Sequence, residues 1–332
     1  MIATAVSLRP PARRGEQLRL DLSAAERAEV GALVRRLVRV PPGLVDDPAW
    51  LAAARRLSCR LPVRMREALR AFRHDPGRDG VLLVRGLPVD PSTVPPTPAV
   101  HGSVQREATG PAAVVTLAGL GLGEIVSFRD EKSGALVQDV LPVPGFEPSQ
   151  SNAGSVPLQL HVENAFHDHR PDYVGLLCLR ADHDGRAGTL VASVRRALPH
   201  LSDADRYVLS QDRFVTAAPP SFGGAALTPP HPVLGGTPDD PDVRFDVQAT
   251  RALDREAGEV LERLAEVMHE CAVDLVLRPG DLAVLDNRIV MHGRAGFTPR
   301  YDGHDRWLHR VYVSLDNRRN RPARPGNGAV LR

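Results

Sequence analysis

The residues best placed to do chemistry lie in the stretch PLQLHVENAFHDHR, where His161 and Glu163 stand two positions apart. Leu158, Leu160 and Val162 alternate with Gln159, His161 and Glu163. That is the period of a strand, on which residues two apart project to the same face. An imidazole and a carboxylate side by side are two of the three ligands of a facial site for a six-coordinate ferrous ion. The third must come from far along the chain, and His292, in GDLAVLDNRIVMHGRAG, is the best candidate. Two histidines and one carboxylate cover one face of the ion and leave the other open to a chelating cosubstrate and to O2. Alone, H-x-E is weak, because such triplets arise by chance. Arg306, fourteen residues after His292 in the strand-like RWLHRVYVSL, strengthens it. Its guanidinium can pair bidentately with the far carboxylate of a dicarboxylic cosubstrate.

These side chains need a scaffold that brings distant strands together. Ser23 and Glu26 have capping-box spacing and open an amphipathic helix to about residue 39. Further helical patterns cover 47–60, 62–72 (with Pro62 as a first helical residue) and 111–120. A buried strand is expected over 80–87. Short strands then recur between Gly, Pro and Asp clusters at 135–141, 158–163, 174–180, 189–193, 213–217 and 243–247. A helix over 254–275 precedes two more, at 281–285 and 307–315. The pattern predicts a mostly β protein with flanking helices: a double-stranded β-helix (jelly-roll, cupin-like) core with an N-terminal helical wrap. Expected boundaries are a flexible N-terminal arm at 1–20, a single oxygenase domain at 21–320 and a C-terminal tail at 321–332. GLGLGE at 119–124 lacks the G-x-G-x-x-G spacing and the flanking elements of a dinucleotide loop.

Composition excludes several classes. Basic and acidic residues nearly balance, 42 against 40, with no basic run, which argues against a nucleic-acid partner. Only one of the basic residues, Lys132, is lysine. Three scattered cysteines, Cys59, Cys178 and Cys271, fit a reducing cytoplasm without a disulfide framework. No apolar stretch reaches the ~20 residues of a membrane span, and the N-terminus lacks the regions of a secretory signal. The expectation is a cytoplasmic protein without a membrane partner; nothing in the sequence sets its oligomeric state.

HVENAFHDHRPDYVGLLCLRADHDGRAGTLVASV resembles the iron-ligand strand and following segment of the clavaminate synthase-like Fe(II)/2-oxoglutarate oxygenases. DNRIVMHGRAGFTPRYDGHDRWLHRVYVSLDNRR resembles their segment carrying the last histidine and the cosubstrate arginine, and QSNAGS at 150–155 also fits. The likeness runs from about residue 121 to 320. It implies iron held by His161, Glu163 and His292, with 2-oxoglutarate gripped at its distal carboxylate by Arg306 and Thr189, and O2 as oxidant. It implies a small amino-acid substrate: Arg310 for the α-carboxylate, Glu131 for the α-amino group, Asn152 and Asp246 for the side chain. Halogenating relatives replace the carboxylate ligand with a small residue; Glu163 keeps it, so hydroxylation is expected.

For the substrate, arginine-hydroxylating relatives surround the guanidinium with several carboxylates. Here Asp246 is joined by Gln248 where a second acid is expected, and Pro219 and Pro220 stand where an aspartate would. An acceptor beside an amide suits a neutral ureido group. The resulting expectation is mid-chain hydroxylation of free L-citrulline, then L-arginine, in antibiotic or other specialised biosynthesis. The same iron core acting as a desaturase or oxidative cyclase, or on lysine or asparagine, is the alternative. A zinc hydrolase leaves Arg306 and Thr189 without a task, and a non-catalytic jelly-roll binding protein needs no open iron face.

Overall fold

The structure, a computed structural model, describes residues 18–222, 224 and 226–332. The expected N-terminal arm lies outside them except at its end, where the chain is ordered rather than flexible. Strand β1 (Leu18–Asp21) pairs in parallel with β2 (Val81–Arg85). Between them run three helices. α1 (Ala24–Val38) opens on the expected capping box: Ser23 Oγ accepts from the Glu26 amide at 3.2 Å, and Glu26 Oε2 accepts from the Ser23 amide at 2.8 Å. α2 (Pro48–Ser58) is capped by Asp47, whose carboxylate accepts from the Ala49 and Trp50 amides. α3 (Val63–His74) begins one residue later than the sequence suggests. Pro62 keeps an extended ψ of 142° and is the cap rather than the first helical residue. α4 (Gly110–Leu122) is apolar all round and buried, as such helices must be. GLGLGE is the end of that helix and the start of the next strand.

The remaining strands are β3 (Glu124–Phe128), β4 (Gln138–Val140), β5 (Leu158–His161), β6 (Tyr173–Arg180) and β7 (Thr189–Ser193). After short α5 (Val194–Ala197) and α6 (Asp203–Leu209) come β8 (Phe214–Thr216), β9 (Leu234–Thr237), β10 (Asp240–Val243) and β11 (Thr250–Ala252). Helix α7 (Arg255–Glu270) leads to β12 (Val273–Leu275), β13 (Leu282–Asp286), β14 (Val290–Arg294), β15 (Trp307–Ser314) and β16 (Val330–Leu331). The helix expected to reach 275 thus stops at Glu270, and β12 follows. Val267, Cys271 and Leu275 keep helical spacing, but sheet pairing of Val273–Leu275 with β7 wins. Of the strand expected at 243–247, Val243 ends β10, while Phe245 and Val247 bond to Val162 and Leu160 at and just past the end of β5. β14, which carries His292, has no counterpart among the expected strands.

A larger mixed sheet runs β1-β2-β13-β6-β15-β3-β16, with β4 pairing β15, and a smaller one runs β12-β7-β14-β5. One apolar cluster spans both sheets and α7, drawing Val174, Leu176 and Cys178 from β6, Val191, Ala192 and Met291 from the smaller sheet, and Leu264 and Met268 from α7. A second packs Tyr173, Leu177 and Leu179 of β6 against α1–α4. Strands buried on both faces read as continuous apolar runs, which is why YVGLLCL stands out in the sequence. The 321–332 segment is not a free tail: β16 pairs in parallel with β3, and Leu331 is fully buried. The apolar Val330 and Leu331 at the chain end supply that edge strand. Among the described residues no helix is long and apolar enough to cross a membrane.

Candidate active site

β14 pairs antiparallel with β5 so that His292 lies directly across from His161, with ring centroids 4.4 Å apart. Gly293 makes this approach possible: a Cβ there would stand 2.5 Å from the Leu158 carbonyl oxygen. β5 ends at His161, so Glu163 lies just beyond the ladder. Its backbone is held instead by the buried Asn287 side chain, which accepts from the Glu163 amide (2.8 Å) and donates to the Glu163 and Pro171 carbonyls (3.0 and 2.9 Å). Sequence reasoning passed over Asn287, although a polar DN pair interrupting an apolar run is the signal that marks it.

Ligand atoms of His161, Glu163 and His292 all lie within 4.8 Å of one another. Glu163 Oε2 and His292 Nε2 are 3.5 Å apart. His161 Nδ1 is 2.9 Å from the Gln159 carbonyl; donating there leaves Nε2 as a lone-pair ligand. Burial, helped by His161, lowers the His292 pKa and favours the neutral imidazole that a metal requires. Burial alone would raise the Glu163 carboxyl, but Arg310 and the two histidines hold it well below the usual carboxylate range. This donor set fits a ferrous ion. A second group, His183, Asp302 and Asp305, has its carboxylates committed to the loop amides of Arg300, Tyr301 and His304. His167 is half-buried and packs edge-on against Phe128 and Phe222.

Arg306 precedes β15, is buried between the sheets, and donates to Thr189 Oγ1 at 3.2 Å. Among the described residues no carboxylate forms an ion pair with it, and burial lowers its pKa. A buried cation without a counter-ion is costly, and a dicarboxylate's far end is the complement it lacks. Arg294, two residues past His292 and also buried, ties β14 to the 150s loop through the Ser151 and Val156 carbonyls at 3.3 and 3.0 Å. That loop carries Asn152.

Arg310 is at the other end of the site. It donates to Glu163 Oε2 at 2.8 Å and also to Glu131 and Gln138. Gln138 stands opposite it in the β4–β15 register, and the Tyr312 ring lies 4.7 Å from its guanidinium carbon. Tyr312 also donates to Glu131 at 2.8 Å. The Asn152 amide is assigned with its oxygen toward Arg310, accepting two bonds at 3.1 Å, so its NH2 is free to donate. Asp246 forms an isolated bridge with His161, flanked by Val162 N to Phe245 O (2.8 Å) and Val247 N to Leu160 O (3.2 Å). Its Oδ1 accepts from the Gln248 and Ala249 amides, capping a turn, while Oδ2 has no hydrogen-bond partner among the described residues. A cavity of about 420 Å³ opens onto Glu131, Asn152, His161, Glu163, Asp246 and Arg310. Gln248, given a recognition role in the sequence reading, also lines this cavity and is largely exposed.

A two-histidine, one-carboxylate cluster between facing sheets, with a buried arginine that has no carboxylate partner among the described residues, is the arrangement of an iron- and 2-oxoglutarate-dependent dioxygenase. The chain belongs to the family described as taurine catabolism dioxygenase TauD, TfdA family, which it matches over residues 48–312. It is 50% identical to the L-asparagine oxygenase of Streptomyces coelicolor, across 94% of this chain and 93% of that one. It is 36% identical to clavaminate synthase 2 of Streptomyces clavuligerus, across 87% and 90%. The crystal structure of asparagine oxygenase with Fe(II), (2S,3S)-3-hydroxyasparagine and succinate superposes with a TM-score of 0.92 at 49% identity, across 95% and 99%. The chain therefore lies in the clavaminate synthase-like branch of free amino-acid hydroxylases.

Proposed function

We propose that the protein hydroxylates free L-asparagine at its β-carbon. The carrying observation is the pair Asn152 and Asp246. A carboxamide presents one carbonyl and one NH2, and here an amide NH2 and a carboxylate oxygen, both without a partner among the described residues, belong to side chains that line one cavity. Asp246 is bridged to His161 itself, so the polar end of the pocket lies beside the metal cluster. That spacing suits a short side chain. In citrulline the ureido group, which begins at Nε, stands two methylenes, Cγ and Cδ, further out than the asparagine carboxamide, and Gln248, the residue that favoured it, is largely exposed. The similarity to an asparagine oxygenase supports the asparagine alternative over the citrulline expectation.

In this reading His161, Glu163 and His292 hold Fe(II), and Arg306 with Thr189 holds the distal carboxylate of 2-oxoglutarate. With O2, these groups supply an oxidant that replaces a C–H hydrogen by hydroxyl while the cosubstrate leaves as succinate and CO2. Arg310 binds the α-carboxylate, Glu131 accepts from the α-ammonium, and Asn152 and Asp246 bind the carboxamide. Pinned at both ends, asparagine has one methylene, Cβ, to present to the metal. The two facing sheets support reading the core as a jelly roll.

The test is a panel of free amino acids with Fe(II), 2-oxoglutarate and O2, followed by product mass and succinate release. Asparagine should gain one oxygen and exceed citrulline, arginine and lysine in kcat/KM by at least about tenfold. A better citrulline or arginine substrate overturns the asparagine assignment. A product lacking two hydrogens overturns hydroxylation.

A further inference from the structure

Lys132 is the only lysine among 42 basic residues, and it follows Glu131 directly. Lys132, Ser133 and Gly134 all adopt positive φ, at 46°, 54° and 72°. Two non-glycine residues in the left-handed region make a strained turn that needs an anchor. The ammonium provides it, donating to the Ser103 carbonyl at 3.1 Å and to the Asp139 carbonyl. Asp139 is itself fixed by Ser103 Oγ at 2.5 Å and Trp307 Nε1 at 2.8 Å, and it adjoins Gln138, which touches Arg310. The lysine thus fastens the Glu131 turn to the β4–β15 pair that carries the rest of the clamp. Burial, with Arg310 adding to it, pushes the ammonium down to about 8, so the cation is held there against an electrostatic cost. Arginine occupies every other basic position. Here a compact point donor, shorter and less directional than a guanidinium fork, sits between two carbonyls.

We propose that Lys132 is a positioning residue of the substrate clamp, holding Glu131 where the α-ammonium of the substrate docks. The proposal rests on the amino-acid reading above and names a further determinant of that same site. A small compartment of about 200 Å³, lined by Lys132, Glu131, Ser103, Asn152 and Ser221, adjoins the active cavity on this side. It gives Glu131 room to swing away when the anchor is lost.

The test compares wild type with Lys132→Arg and Lys132→Met, each first checked for a native circular dichroism spectrum and melt. Binding to the anaerobic Fe(II)- and 2-oxoglutarate-loaded protein is measured by calorimetry, for asparagine and for succinamic acid, which lacks only the α-amino group. Both variants should lose about tenfold or more in asparagine affinity while binding succinamic acid and 2-oxoglutarate as wild type does. In turnover, the KM for asparagine should rise with the KM for 2-oxoglutarate unchanged. Wild-type asparagine affinity in both variants overturns the proposal, as does parallel loss of asparagine and succinamic acid. If wild type ignores asparagine, the substrate assignment fails. The same comparison, made with the panel's best amino acid and its deaminated analogue, then decides Lys132 separately.

Discussion

At the scale of the residue, the site is governed by charge held out of water. Arg306 is a buried guanidinium whose side-chain partner is a neutral hydroxyl, Thr189. Arg306→Gln should raise the KM for 2-oxoglutarate by about a hundredfold or more with a smaller change for the amino acid, measured by varying each substrate in turn. Unchanged cosubstrate affinity would mean that another residue holds that carboxylate. The two polar residues of the substrate pocket make a second contrast. Asp246→Ala removes both a turn cap and the carboxylate beside the metal cluster, and should cost about a hundredfold or more in kcat/KM for asparagine. Gln248→Ala trims an exposed side chain and should leave kcat/KM within about twofold. Equal losses in the two variants would restore Gln248 to the recognition site.

At the scale of the element, the metal cluster depends on how closely β5 and β14 approach. Gly293 sits in that contact, and its missing Cβ leaves space that the Leu158 carbonyl occupies. Gly293→Ala should push the two strands apart, costing about 1–3 kcal/mol of stability. It should also weaken Fe(II) binding, since His292 is the neighbouring residue on β14. Metal content after dialysis and the denaturant midpoint read the two effects separately. Full iron content with a wild-type midpoint would show that the strands absorb the methyl group. Beyond the end of β5 the cluster relies on a side chain for its geometry: Asn287 supplies the amide contacts that a continued ladder would have made for Glu163.

At the scale of the molecule, the larger sheet is shared by two apolar clusters, one against the smaller sheet and one against the helices. The C-terminal strand closes the edge of that sheet: Ser127 and Arg129 donate to the Ala329 and Leu331 carbonyls at 3.0 and 2.8 Å. Deleting residues 330–332 removes a fully buried leucine and uncovers β3. The loss should be about 2–3 kcal/mol, visible as a lower midpoint in urea with the iron ligands intact. An unchanged midpoint would mean that β16 only rests on the sheet edge.

Local rules were enough for some of this architecture. The capping box of α1, the doubly buried β6 and the strand that carries His161 follow from short-range periodicity and hydrogen-bond chemistry, which the sequence carries at each position, whereas the strand expected to continue to Glu163 stops at His161. His292, Thr189 and Arg306 were legible as residue types in motifs resembling a known family. Their convergence was not, because it depends on which strands pair and in what register. The same holds for Asn287, Gln138, Tyr312 and Lys132, whose roles arise from partners 124, 172, 181 and 29 residues away in the chain. Substrate length was the property least legible in the sequence. Asp246 and Gln248 read alike as recognition residues, and only the folded chain shows that Asp246 bridges to His161 while Gln248, on the same cavity, is largely exposed. Side-chain chemistry is written residue by residue, but the distance between two such chemistries is set by the strands that carry them.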